Sequence, residues 1–88
     1  MLGGSITHTQ MKAHGYAKKQ VTPKGLLEMS EVTFTGASSS MREIARFLLA
    51  AADEMDRRGF QFSHVHIREQ FPEWHERWPD IIVSRGGK

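Results

Sequence analysis

Met41-Arg-Glu-Ile-Ala-Arg-Phe-Leu-Leu-Ala-Ala-Ala-Asp-Glu-Met-Asp-Arg-Arg58 is the stretch from which the fold is read. At 100° per residue, Met41, Ile44, Ala45, Leu48, Ala51, Ala52 and Met55 fall on one face, while Arg42, Glu43, Arg46, Asp53 and Arg57 fall on the other. This is an amphipathic helix, and its apolar face reads as core. Its small alanines allow close approach to a sheet. Gly59 after two arginines is a good stop, because glycine tolerates positive φ and cations suit the C-terminal dipole. Upstream, Ser40 and Glu43 have capping-box spacing. The serines 38–40 therefore read as a helix start and not as catalytic nucleophiles.

Outward from the helix, Leu26–Thr35 reads as a strand, with Val32 and Phe34 alternating with Glu31, Thr33 and Thr35. Phe60–Ile67 reads as a second strand and Ile81-Ile82-Val83 as a third. Thr22-Pro23-Lys24-Gly25 is a good turn, since proline presets its second position, and it joins a weak edge strand at 16–21. The expected fold is α+β and two-layered. One long helix packs on a small, mostly antiparallel sheet of three to four strands in the order β-α-β-β, with an N-terminal strand as a possible addition. One helix covers one sheet face, so the other meets solvent, the loop after residue 67 or a second molecule.

The chain has 88 residues, which suits a single small domain, and no cysteine, so neither a disulfide nor a thiolate metal site supports the core. No apolar run approaches the ~20 residues of a membrane span and no signal peptide opens the chain, so a soluble cytoplasmic protein is expected. Charge divides the chain. Residues 1–24 carry Lys12, Lys18, Lys19, Lys24 and no acid, a charge of +4; residues 25–88 carry eight basic and ten acidic side chains, a charge of −2. Residues 1–24 are expected to be a flexible basic leader, with 1–14 disordered, and residues 25–88 the single α+β domain. Four dispersed lysines without aromatics make a solvated tail more readily than a nucleic-acid arm.

The segment 64–80, HVHIREQFPEWHERWPD, holds three of the five histidines, both tryptophans and two of the three prolines. A rigid aromatic loop of mixed charge suits recognition, and tryptophan and arginine are enriched in binding hot spots. His64, His66, Glu73, Trp74, His75, Glu76 and Trp78 form the expected partner-binding patch. Its acids, with Glu69 and Asp80, favour a basic partner surface. Trp74 and Trp78 are equally open to a structural reading, as a cap on the core beneath the loop.

The alternative function is a small metal- or ligand-binding domain. His64 and His66 lie on one side of a strand, with His75, Glu69 or Asp80 as a third ligand. As an acid–base set, His66 and His75 with Glu73 or Glu76 lack any nucleophile, phosphate-cradling loop or oxyanion hole, so no enzyme and no cofactor are expected. Self-association through an open edge or face is a further expectation for so small a domain.

The run Glu31-Val-Thr-Phe-Thr-Gly36, the helix Met41–Met55, His64-x-His66, Trp74 and Asp80-Ile-Ile-Val83 together resemble immunity protein family 32, over residues 26–84. The resemblance implies a small α+β antidote of a bacterial polymorphic toxin system, one that binds and neutralises a toxin by stoichiometric contact. It implies no catalytic residues. Many such toxins attack nucleic acids through basic clefts, and the acidic loop would then act as a local phosphate mimic.

Overall fold

The Thr22–Gly25 turn folds the chain back on itself. The Gly25 amide donates to the Thr22 carbonyl (3.1 Å), Val21 donates to Leu26 (2.8 Å), and Gly25 takes φ +99, which a side chain would strain. The computed structural model describes residues 10–86. In it the turn joins β1 (Lys12–Gln20) to β2 (Leu27–Thr35) in an antiparallel ladder from Lys12↔Thr35 to Gln20↔Leu27, with register shifts on either side of Ala17. All nine residues of each strand are exposed.

The helix α1 (Ser38–Arg58) follows, and Gly59 stops it as expected, with φ +57 and its amide on the Met55 carbonyl beyond Arg57 and Arg58. Its start differs from the reading above. The helix begins at Ser38 with Ala37 in the capping position and no side-chain cap, while Ser40 is buried within the first turn. With Ser40 already helical, the capping box cannot form.

The covered face also differs. Ser40, Ile44, Phe47 and Ala51 are buried and Met41 and Met55 half-buried, whereas Ala45, Leu48 and Ala52 are exposed. The apolar arc is broad enough to be entered from either side, and the bulky Phe47 ring draws the contact to its own edge.

Beyond Gly59 a 3-10 turn (Gly59–Gln61) replaces the first half of the expected 60–67 strand, closed by the Phe62 amide on the Gly59 carbonyl (3.1 Å). Phe62 is thereby buried and Phe60 left exposed, with the Arg85 guanidinium 5.4 Å above its ring. Only His64–His66 remain as β3, and Ile67–Gln70 form one helical turn, α2. β3 pairs antiparallel with β4 (Ile82–Ser84), His64↔Ser84 to His66↔Ile82. The bonds Ile67 N–H to Ile81 (2.8 Å) and Arg85 N–H to Ser63 (3.1 Å) extend the ladder at each end.

The class is α+β, with one long helix and four strands among the described residues. The strands do not share one sheet of three or four, however; they make two separate two-stranded sheets, β1–β2 and β3–β4. The core gathers where α1, α2 and the following loop meet: Met11, Ile44, Phe47, Ile67 and Trp74, bordered by Met41, Val65, Phe71, Trp78, Ile81 and Val83. Met11, just before β1, is 2% exposed. Met11 thus packs in the body and residues 12–20 are paired as β1; residues 1–9, the start of the stretch 1–24 expected to be a flexible leader, lie outside the described residues. The β1–β2 ribbon lengthens the molecule to 52 × 32 × 18 Å. The radius of gyration is 15.3 Å, against roughly 12 Å for a compact chain of this length.

Candidate functional site

The loop from Phe71 to Ile81 consists of two successive tight turns. Trp74 N–H donates to the Phe71 carbonyl (2.9 Å) and Trp78 N–H to the His75 carbonyl (3.0 Å). Pro72 occupies the second position of the first turn, where its fixed φ is favourable. Both tryptophans therefore end a turn, and their rings meet edge to face with centroids 4.8 Å apart at 82°. The indole N–H of Trp74 donates to the Pro79 carbonyl (3.0 Å). From α2, Arg68 donates to the carbonyls of Glu76 (3.3 Å) and Trp78 (2.6 Å). These bonds satisfy loop carbonyls that no strand partner takes, and so fix the loop without regular structure.

The expected patch divides on burial. Trp74 is 4% exposed and packs in the core. Trp78 is half-buried, with one side on that core and His75 beside it at 5.7 Å and 30°. His66 is half-buried and its Nδ1 lies 2.5 Å from Asp80 Oδ2; an ionised carboxylate accepts only, so the imidazole donates. His64, Glu73, His75 and Glu76 are exposed. Glu73, His75 and Glu76 line the outer rim of the two turns, where the His75 Nδ1 accepts the Arg77 amide (3.0 Å). The structure thus offers a rigid rim carrying two carboxylates and one imidazole, with an indole edge beside it.

Electrostatics are most marked at Asp80. Burial pushes its carboxyl up, but the hydrogen bond and charge of His66, together with Arg68, outweigh this and leave its pKa below the ordinary carboxylate value. Its second oxygen, Oδ1, is buried without a hydrogen-bond partner. Arg68 had no distinguishing mark in the sequence: its role depends on which carbonyls the folded loop turns toward it.

The histidines do not converge. The rings of His64 and His66 stand 5.2 Å apart at 67°, Ser63 Oγ lies 3.0 Å from His64 Nδ1, and His66 is engaged by Asp80. Among the described residues, no three His, Cys, Asp or Glu side chains come together as metal ligands, so the set His64, His66 and His75 is not assembled. No helix among them is long and apolar enough to cross a membrane.

The profile of the family described as Immunity protein 32 matches residues 31–86. The chain belongs to this family. The match takes in the end of β2, all of α1 and α2, the β3–β4 pair and the whole two-turn loop, while β1 lies before it. No curated protein and no solved structure matches the chain.

Proposed function

We propose that this chain neutralises a cognate toxin by binding it one to one, and that the rim of the 71–81 loop makes the central contact. The observation that carries the reading is the Immunity protein 32 match, which spans the loop completely. The geometry supports it in a specific way. Glu73, His75 and Glu76 are exposed on a loop already held by Trp74, Arg68 and the His66–Asp80 pair, so little ordering entropy is lost on docking. Trp78 adds an aromatic edge beside them. Trp74 acts from beneath as the loop's anchor and not as a contact.

The partner chemistry follows from the two rim carboxylates, which suit a basic cleft of the kind that holds a nucleic-acid backbone. A nuclease toxin of a bacterial polymorphic system is the target we infer. Inhibition is by occupancy, with no bond made or broken.

The test is growth rescue together with calorimetry, using a candidate nuclease toxin of a polymorphic system as the partner. Coexpression is expected to restore growth and yield a one-to-one complex. Replacing both Glu73 and Glu76 by Gln is expected to weaken binding by about ten- to a hundredfold, mainly through association rate, and to flatten its salt dependence. Unchanged affinity and salt slope would remove the rim from the contact. Rescue without any complex would overturn inhibition by binding.

A further inference from the structure

The second turn of the loop, His75–Trp78, is held at its central peptide as well as at its ends. In a turn closed by the Trp78 amide on the His75 carbonyl (3.0 Å), that peptide joins Glu76 to Arg77. Its carbonyl accepts from the Arg68 guanidinium on α2 (3.3 Å), through the same Nη2 that reaches the Trp78 carbonyl (2.6 Å). Its amide donates to the His75 Nδ1 (3.0 Å). The carbonyl and amide of a trans peptide point in opposite directions, so the two side chains grip this peptide from its two sides. The orientation of the central peptide separates the common turn types, and it aims the side chains of Glu76 and Arg77.

The two grips differ in chemistry. A guanidinium keeps its protons and donates throughout the working range of a protein. An imidazole nitrogen accepts only while it is bare, and the protonated ring is a donor at both nitrogens. A backbone amide can only donate, so Nδ1 of His75 is the acceptor and the neutral ring carries its proton on Nε2. On protonation the Arg77 amide and Nδ1–H would meet as two donors, and the bond is lost. The ring lies beside Trp78, with centroids 5.7 Å apart at 30°. The charged groups around it are Glu73 on the first turn, Glu76 and Arg77 on its own, and Arg68 and Glu69 on α2; Asp80 is engaged by His66.

We propose that His75 is a positioning residue of the toxin-binding rim, with Arg68 as its fixed counterpart, and that the rim holds its binding form only while His75 is unprotonated. This rests on the reading of the rim as the toxin contact. With both grips made, Glu76 is presented on a turn that is already ordered, so docking removes little further freedom. Protonation of His75 acts twice in the same direction. It releases the central peptide, and it sets a positive charge on a rim whose carboxylates serve a basic partner. Linkage requires the converse: toxin binding expels the proton, so complex formation releases protons wherever the free ring is partly charged.

Asparagine separates the positioning role from a simple contact. Its side-chain oxygen makes the same bond to the amide two residues on, and it has no proton to gain. His75→Asn therefore keeps the grip and removes the titration, whereas His75→Ala removes both.

The experiment uses the full chain and has two readouts. In the free protein, nitrogen chemical shifts of the His75 ring and the Arg77 amide are followed from about pH 8 to about pH 5, the range in which histidine side chains change charge. The expected result is a neutral ring protonated at Nε2, with the Arg77 amide moving along the ring's own titration and standing still in His75→Asn. The second readout is calorimetry with the nuclease toxin of the rescue assay, on wild type, His75→Asn and His75→Ala. Wild-type binding is expected to weaken by about fivefold or more between those pH values, beyond any change in His75→Asn, with a proton release that His75→Asn lacks. At the upper pH, His75→Asn should bind between wild type and His75→Ala, since it keeps the bond and loses the ring. A free ring protonated at Nδ1, or an Arg77 amide indifferent to its titration, would overturn the proposal and leave the binding reading standing. So would a complex whose pH dependence is the same in wild type and His75→Asn. A grip that titrates as expected in a chain that forms no complex would overturn the binding reading, and this proposal with it.

Discussion

His66 Nδ1 and Asp80 Oδ2 stand 2.5 Å apart, joining the last residue of β3 to the residue two before β4. With the Ile67–Ile81 backbone bond (2.8 Å) beside it, this pair closes the mouth of the two-turn loop. The loop's exposed rim is therefore held at both ends: at its mouth by an ion-assisted hydrogen bond, and at its middle by Trp74 in the core. Rigidity at the rim is thus a consequence of polar contacts from elements that are themselves only three or four residues long.

Replacing Asp80 by Asn tests the closure. Because the folded pKa lies below the ordinary value, the carboxylate contributes stability that is fully present above its unfolded pKa of about 4 and is lost as pH falls through the lower folded value. Asp80→Asn is expected to cost about 1.5–3 kcal/mol at neutral pH, the scale of a charged hydrogen bond. It is also expected to flatten the acid limb of stability below about pH 4. Urea melts of both proteins from pH 2 to pH 7 measure this; an acid limb of equal slope in the variant would place the effect in other carboxylates.

The two tryptophans are expected to separate sharply in stability. Trp74 is almost wholly buried, so Trp74→Ala should cost about 3–5 kcal/mol, a large part of what a domain of this size has. Trp74→Phe keeps only a smaller aromatic ring, losing the bond to Pro79 and leaving a cavity, and should fall between wild type and Trp74→Ala, at about 1–3 kcal/mol. Trp78→Ala, at a half-buried site, should cost less than Trp74→Ala. Denaturant midpoints give the order directly, and equal losses at positions 74 and 78 would contradict the packing described.

These contrasts show which parts of the molecule were legible in the sequence. The helix was, because a 3.6-residue period and the Arg-Arg-Gly59 stop are local signals. The Thr22–Gly25 turn was too, for the same reason. Which part of the helix's broad apolar arc is covered was not, since Phe47 wins over Leu48 only through the elements that pack on it. The 60–67 strand failed because Gly59 carries its distortion into a 3-10 turn and Ile67 is drawn into the core as a helix start. Met11 sits in a segment without period, and its burial is a tertiary fact. At the site, the residue types on the rim were readable, but Trp74 and Trp78 are chemically the same and only burial tells anchor from edge. Arg68 left no signal at all.

Zinc is expected to do little. Among the described residues no three ligands gather, and His66 is already engaged by Asp80. A ligand that binds the native state at a hundred times its Kd adds about 2.7 kcal/mol, several degrees in melting temperature for so small a domain. Millimolar zinc should produce no such rise, either in the wild type or in His64→Ala; a rise that His64→Ala abolishes would restore a metal role for that histidine.

Met11 is the peg by which the ribbon is fastened to the body. Its side chain packs with Ile44, Phe47, Ile67 and Trp74, and a Cβ on Gly36 would stand 3.2 Å from its Cγ, so the ends of β1 and β2 close on it together. Met11→Ala removes a buried side chain at an expected cost of about 2–5 kcal/mol. Because all of β1 and β2 is exposed, little else holds the pair, and an isolated two-stranded ribbon is marginal in water. Hydrogen exchange in Met11→Ala should therefore quicken first at the β1–β2 amides and leave those of α1 slower by comparison. The neighbouring control, Lys12→Ala, lies at an exposed position and should change neither stability nor exchange. If Met11→Ala left ribbon exchange at the wild-type rate, the ribbon would be held by contacts other than the core.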